Sequence, residues 1–341
     1  MSKVVRRKAY AAAGVDIDLG NRVKKGLQEK VSVTFGPEVL GRIGGFGGLF
    51  RADFKGMKEP VLVSSMDGVG TKLKIAIALG RHAPVAQDLV NHCIDDIAVT
   101  GARPLFFLDY IGAERLDPGV FKQLISGFTK ACKEGGCALI GGETAQLPDL
   151  YQSGEYDLAG CIVGVVDRSE ILDGNRIVPS DVLIGLPSNG LHTNGYTLAR
   201  KVLLDKMRLD LLQKVDGLAK PLGEELLRVH RNYQPAMAST APGRIKGAAH
   251  ITGGGLVDNL PRILPAACDA LIDTSSWKVP PIFQLIQAGG DISREEMHQV
   301  FNMGIGMVLV VSKSHQSEVL SQTKGKVIGQ ITPGSGKVLL Q

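Results

Sequence analysis

The sequence is short of cysteine and shows no pairing pattern in what it has. Cys93, Cys132, Cys137, Cys161 and Cys268 form no C-x-x-C motif and leave an odd count. That excludes a disulfide framework and a thiolate zinc motif, and it predicts a reducing compartment. No apolar run approaches the ~20 residues of a membrane span. Met1 to Asp18 lacks the apolar segment of a secretory signal, so the expected location is the cytoplasm and no membrane partner is expected. Aromatic residues are sparse at 5%, and no long Lys/Arg tract or aromatic-basic platform accompanies the net charge of +5. Nucleic acid is therefore not an expected partner, and the basic excess suits small anions. Arg6-Arg7-Lys8 is the densest basic spot and reads as a solvated arm. Two nucleotide signatures are also missing: there is no G-x-x-x-x-G-K-[ST], and no G-x-G-x-x-G can be completed at Gly44 to Phe50 or at Gly68 to Leu73. The standard P-loop and dinucleotide readings fall with them.

Glycine, in contrast, is abundant, with 43 in 341 residues. Such a content points to tight turns or loops that approach phosphate closely. The most informative stretch is Ser64-Ser65-Met66-Asp67-Gly68-Val69-Gly70-Thr71-Lys72, between the aliphatic run Val61-Leu62-Val63 and the helix formers Leu73 to Leu79. A strand-to-helix turn with these residues offers free N–H groups, a hydroxyl and an amine to phosphate, and a carboxylate, Asp67, to Mg²⁺. A turn using Gly and Asp for backbone reasons alone would look the same.

The length allows about two domains. Apolar runs predict strands at Val61–Val63, Leu105–Tyr110, Ala138–Ile140 and Leu158–Val166. Asp117-Pro118 opens a helix that Gly135-Gly136 ends, and a second runs roughly from Gln87 to Thr100. On that second helix Asp95 falls nearly opposite the apolar stripe and Asp96, with His92, on its flank, which makes Asp96 the better site candidate. Acids close several strands: Asp67, Asp109 and Glu143. If they converge around a triphosphate, their repulsion requires a cation between them. The pattern restarts after Arg168, which places a boundary between 1–168 and 169–341, and the second half is expected to repeat the α/β alternation through Val182–Leu186, Asn194–Met207, Pro281–Ala288 and Met307–Val311. Gly44-Gly45-Phe46-Gly47-Gly48 reads as a hairpin or a glycine flap over a nucleotide, while Ser188 to Tyr196 and His250 to Gly255 read as anion-sized turns, with His192 on the first.

Together these segments resemble the phosphoribosylformylglycinamidine cyclo-ligase family over nearly the whole chain. The resemblance rests on Ala13-Gly14-Val15-Asp16, Gly44 to Gly47, Asp67 to Lys72, Pro104 to Tyr110, Gly141 to Ala145, Ser188 to Tyr196, His250 to Gly255, Asn259 to Arg262 and Phe301 to Met307. It implies two domains of α/β (α+β) type, the first with a mixed sheet that closes a barrel across a homodimer. It also implies ATP near that interface, Mg²⁺, often a monovalent cation such as K⁺, and formylglycinamidine ribonucleotide as substrate. Carried onto this sequence, Asp67 and Asp96 would hold metal, while Gly45, Phe46, Gly47, Gly68, Gly70, Thr71 and Lys72 would hold the nucleotide. Lys72, Glu143 and His192 would be catalytic, and Asn189, His192, Asn194, Gly253, Gly254 and Gly255 would line the substrate side. Two departures from the family pattern are Met66, often Thr, and Asp95, usually Asn. Asp95 adds a charge beside Asp96.

Overall fold

A computed structural model describes residues 9–341, so the basic Arg6-Arg7-Lys8 spot lies outside the described residues. The first half builds a four-stranded sheet from β1 (Pro60–Gly68), β2 (Arg103–Ala113), β3 (Ala138–Gln146) and β4 (Tyr156–Asp167), in the order β1-β4-β2-β3. Only β2 and β3 run parallel. The aliphatic runs seeded each strand where expected, and each extends beyond its run because the neighbouring strand's backbone groups continue the ladder. Register aligns Asp67 and Asp109 with Gly160 of the strand between them, and Asp109 with Gly142.

The helices Ala83–Ala98 and Pro118–Gly135 cover one face of this sheet. The second begins as the sequence predicts: the Asp117 carboxylate accepts from the Val120 N–H at 2.8 Å, Pro118 follows, and Gly136 ends the helix at φ 71°. Phe107, Ile162, Leu89 and Ile97 form the core between sheet and helices. The other face is open. Leu62 and Met66 stand 62% and 70% exposed on it, and Cys161 and Val163 of β4 lie alongside, partly exposed.

The second half holds a six-stranded sheet of β5 (Val182–Pro187), β6 (Ile245–His250), β7 (Cys268–Ile272), β8 (Ile305–Val311), β9 (Lys326–Pro333) and β10 (Val338–Leu340), in the order β10-β7-β9-β5-β8-β6. Strands and helices alternate along this half as expected, and only β10 and β7 are parallel. Strands such as Ile245-Lys246-Gly247-Ala248-Ala249 carry small and charged residues, so periodicity does not reveal them; the sheet partners on either side do. One hydrophobic cluster crosses between the halves, joining Leu89 and Ile94 of the first to Leu191, Tyr196 and Leu226 of the second. The helix Ala83–Ala98 is thus buried on two sides, which sets what its polar residues meet.

Candidate active site at the seam between the two halves

Asp67 ends β1 and Asp96 sits on the flank of the Ala83–Ala98 helix, and His92 lies between them. His92 Nε2 is 2.7 Å from Asp67 Oδ2 and 3.8 Å from Asp96 Oδ2. Asp67 Oδ1 accepts from the Gly68 N–H at 2.6 Å; Asp96 accepts from Ser65 Oγ at 3.1 Å and pairs with His250 Nδ1 at 2.8 Å. Burial opposes charge on both acids, but the His92 hydrogen bond for Asp67 and the His250 hydrogen bond for Asp96 outweigh it and hold both carboxyls below the usual range. For His92 the balance is reversed. Burial disfavours its charged form, and the hydrogen bond to Asp67 with the Asp96 charge overcomes this and raises its pKa. Two ionised, partly exposed carboxylates therefore stand together beside a polarised imidazole.

Asp95 lies on the far side of the same helix, wholly buried, where its Oδ1 accepts from the Tyr233 N–H at 2.7 Å. The helical phase separated the two acids as expected, but the face opposite the apolar stripe is covered by the 230–240 segment rather than by water. Asp96 instead lines a cavity of about 290 Å³ with Ser65, His250, Thr252, Asn259 and Arg262.

Lys72 does not face a phosphate. Its side chain is fully buried, and Nζ meets Asp88 Oδ2 at 2.8 Å, the His192 carbonyl at 3.0 Å and the Arg228 carbonyl at 2.7 Å. All three ammonium donors point inward, so the catalytic and nucleotide roles expected of Lys72 are corrected to a clamp between the halves. The turn Gly70–Lys72 is a short 3-10 segment that leads into the helix Leu73–Leu79, and this rotates Lys72 into the core. Gly70, at φ 68°, is exposed, and Thr71 Oγ1 lies 2.9 Å from Thr197 Oγ1 across the seam.

His192 is likewise turned inward. It adopts φ 60°, is 1% exposed, and stacks on His230 with ring centroids 4.1 Å apart. Burial, then the His250 and Lys72 charges, drive its pKa well below the ordinary value. The ring packs on His230 outside the lining of the Asp96 cavity, and both its nitrogens are buried without hydrogen-bond partners. Asn189 Nδ2 donates to the Val229 carbonyl at 2.7 Å. Asn194 stands against the glycine loop, its Oδ1 beside Gly253. Within that loop Gly254 and Gly255 have φ of 96° and 59°, and a Cβ on Gly255 would overlap the His298 carbonyl. Asn259 Nδ2 fixes the loop by donating to the Gly253 and Gly255 carbonyls at 3.2 and 2.7 Å.

The comparisons with known proteins agree with each other. Residues 53–166 match the family described as AIR synthase related protein, N-terminal domain, and residues 178–340 match AIR synthase related protein, C-terminal domain. A phosphoribosylformylglycinamidine cyclo-ligase from Geotalea daltonii is 50% identical over 97% of this chain and 96% of its own; one from Brevibacillus brevis is 46% identical over 97% of each. This chain belongs to the phosphoribosylformylglycinamidine cyclo-ligase family. Among solved structures, thiamine-monophosphate kinase from Stenotrophomonas maltophilia aligns with TM-score 0.66 at 18% identity over 95% of each chain. The hydrogenase maturation protein HypE in complex with ATP aligns with TM-score 0.66 at 16% identity, over 94% of this chain and 90% of its own, so the fold is shared well beyond the cyclo-ligases.

In this family member the glycine flap belongs to a separate opening. Gly45, Phe46 and Gly47 line a cavity of about 470 Å³ together with Asp109, Glu143 and Thr144. Glu143 is exposed and its Oε1 accepts from the Thr144 N–H at 2.6 Å. Glu143 therefore shares the flap's cavity and does not meet Asp96, which lines a different one. Burial, with the Glu143 charge in support, raises the Asp109 carboxyl to about 7. A raised carboxyl binds its proton more tightly when folded, so stability declines as pH rises from about 4 toward 7. Asp109→Asn should raise Tm at pH 8 by about 2 °C or more and change it little at pH 4; thermal melts of the two proteins at both pH values check this.

The sequence reading set His92 beside Asp96 on the helix flank but missed His230 and Asp88 as members of the seam. A single histidine in a loop carries no local signal. Arg262, noted only as part of a motif, supplies a cation to the Asp96 cavity.

Proposed function

We propose that the chain closes formylglycinamidine ribonucleotide to aminoimidazole ribonucleotide with ATP, releasing ADP and phosphate, as a cyclo-ligase of purine biosynthesis. Family membership over nearly the full chain carries this reading, and the paired carboxylates at the seam give it a place. In the reaction the γ-phosphoryl group passes to the formyl oxygen, the amidine-side nitrogen attacks the activated carbon, and the C–O bond breaks to free phosphate. Proteins contribute to such chemistry mainly by positioning and by electrostatic stabilisation.

Asp67 and Asp96 would hold Mg²⁺. Both are ionised, partly exposed and oriented by His92 and His250, and carboxylate oxygen is the donor Mg²⁺ prefers. When bound, the ion would neutralise phosphate charge. Arg262 adds a fixed cation in the same cavity, and Asn194 with the Gly253–Gly255 loop would receive the ribosyl phosphate on backbone N–H groups. Gly68, Gly70 and Thr71 lie on the turn beside Asp67, while Gly45, Phe46 and Gly47 would fold over the nucleotide, with Glu143 in that same cavity. K⁺, where used, would join the nucleotide. Measuring ADP and phosphate release from ATP with and without formylglycinamidine ribonucleotide tests the reading; ADP release that ignores the substrate would overturn it.

Residues 1–168 would serve as the nucleotide and dimerisation domain, and 169–341 would complete the substrate site. The open face of the first sheet supports a homodimer that closes a barrel. Leu62 and Met66 are large apolar side chains in a row on a sheet face that no helix among the described residues covers, a pattern that marks an interface. A carboxylate placed in such an interface meets its own symmetry mate or an apolar partner. Met66→Glu should therefore shift the chain from dimer to monomer in sedimentation analysis with its Tm recorded alongside; an unshifted dimer would place the interface elsewhere.

A further inference from the structure

Behind Asp67 and Asp96, four of the seven histidines of the chain gather at the seam: His92, His192, His230 and His250. The rings of His92, His230 and His250 form a nearly equilateral triangle. Their centroids are 5.2, 4.9 and 5.0 Å apart, the planes are inclined at 59°, 66° and 74°, and the three residues are 4%, 1% and 6% exposed. Each offers one ring nitrogen within 4.8 Å of the other two.

One pair of nitrogens already lies close to a metal's ligand spacing. His230 Nε2 and His250 Nε2 are 3.0 Å apart. Two imidazoles on a tetrahedral zinc at ~2.0–2.1 Å have nitrogens separated by about 3.3 Å, so a small opening of the pair suffices. His250 Nδ1 is held by the ionised Asp96 carboxylate at 2.8 Å and so carries the proton, which leaves the Nε2 lone pair directed at His230. A carboxylate behind a ligand histidine is the arrangement that fixes tautomer and ring orientation in metal sites. His92 is held by Asp67 at Nε2, and its Nδ1, now 2.9 Å from Thr193 Oγ1, would exchange that hydroxyl for the metal.

A second observation points to a cation. Asp95 Oδ2 is completely buried, receives no hydrogen bond, and lies 3.4 Å from His230 Nε2. A buried carboxyl oxygen without a hydrogen-bond partner is costly in the interior, and a metal ion among the three rings would give it one. Imidazole nitrogen suits borderline ions such as Zn²⁺, Co²⁺ and Ni²⁺, whereas Mg²⁺ takes oxygen. Of the three, His250 lines the cavity that contains Asp96.

We propose that His92, His230 and His250 bind one borderline divalent transition-metal ion such as Zn²⁺ at the seam, with the unpartnered Asp95 Oδ2 buried beside it. The ion would lie behind Asp67 and Asp96, on the histidines His92 and His250 that orient those two carboxylates. Because His92 comes from the first half and His230 and His250 from the second, the ion cross-links the two.

The probe is Co²⁺, titrated into the full chain after treatment with a chelator. One equivalent should bind with the visible absorption of a low-coordinate cobalt centre, be displaced by Zn²⁺ and persist in excess Mg²⁺. His230→Gln should weaken binding by about 100-fold or more, since one of three protein ligands is lost, whereas Asp67→Asn should retain the spectrum. Absence of stoichiometric binding overturns the proposal, as does a spectrum unchanged in His230→Gln or one lost in Asp67→Asn alone, which would move the ion to the Asp67–His92–Asp96 group. Should His230→Gln not fold, X-ray absorption of the zinc-loaded wild-type chain decides instead: scattering from three imidazoles supports the site, and from one or none overturns it. These readouts do not involve turnover, so their failure leaves the cyclo-ligase reading standing, and failure of the ADP-release assay leaves the metal site standing.

Discussion

Asp67→Asn should lower substrate-dependent ADP release by about 100-fold or more at saturating ATP, the loss typical when one preorganised charge is removed from a transition state. The carboxylate holds its position through the Gly68 N–H and His92, and the amide can keep one of these bonds while losing the charge. Turnover in the variant should also require more Mg²⁺ than in the wild type. Stability should change little, because the Asp67 side chain is 40% exposed and lies outside the hydrophobic core. The check is a Mg²⁺ titration of turnover with a thermal melt of the same preparations. Full rate at limiting Mg²⁺ would remove Asp67 from the site, and a collapsed melting temperature would make its role structural.

The second large effect concerns the fold. Lys72→Met should destabilise the chain by roughly 3–5 kcal/mol, because it leaves the Asp88 carboxylate buried without its cation. Two carbonyls, those of His192 and Arg228, lose their donor in the same change. The pair variant Lys72→Met with Asp88→Asn should recover a substantial part of the loss. Asparagine removes the stranded charge and keeps the oxygen that accepts from the His230 N–H, a bond of 2.6 Å in the native chain. Denaturant melts of the single and paired variants measure this, and a single variant as stable as wild type would show that the clamp does not hold the halves. If Lys72 were instead a phosphate ligand, its loss would raise KM for ATP and leave the melts unaltered.

These two residues also mark how far the sequence could be read. Asp67 and Lys72 stand five positions apart on one glycine-rich turn, and chemistry alone suggests that both face the same phosphate. Asp67 ends a strand whose alternation fixes its side, so its direction follows from the local pattern. Lys72 has a long flexible stem, and its direction depends on Asp88 on the next helix and on two carbonyls more than a hundred residues away. The Asp95–Asp96 pair behaves in the same fashion. Helical phase separates the two acids, but only the packing of the 230–240 segment makes Asp95 a buried residue rather than a wet one.

By itself the sequence determined the strand-to-helix turns, the capped helix after Asp117, the choice of Asp96 on its helix flank and, through many ordered motifs, the family. Each of these depends on backbone preferences or side-chain periods that act over a few residues. Only the tertiary structure decided that Lys72 and His192 point inward, that the glycine flap and Asp96 line different cavities, and that His92, His230 and His250 meet. Those contacts join residues distant in the chain, and their geometry is fixed by which surfaces the two halves bury against each other.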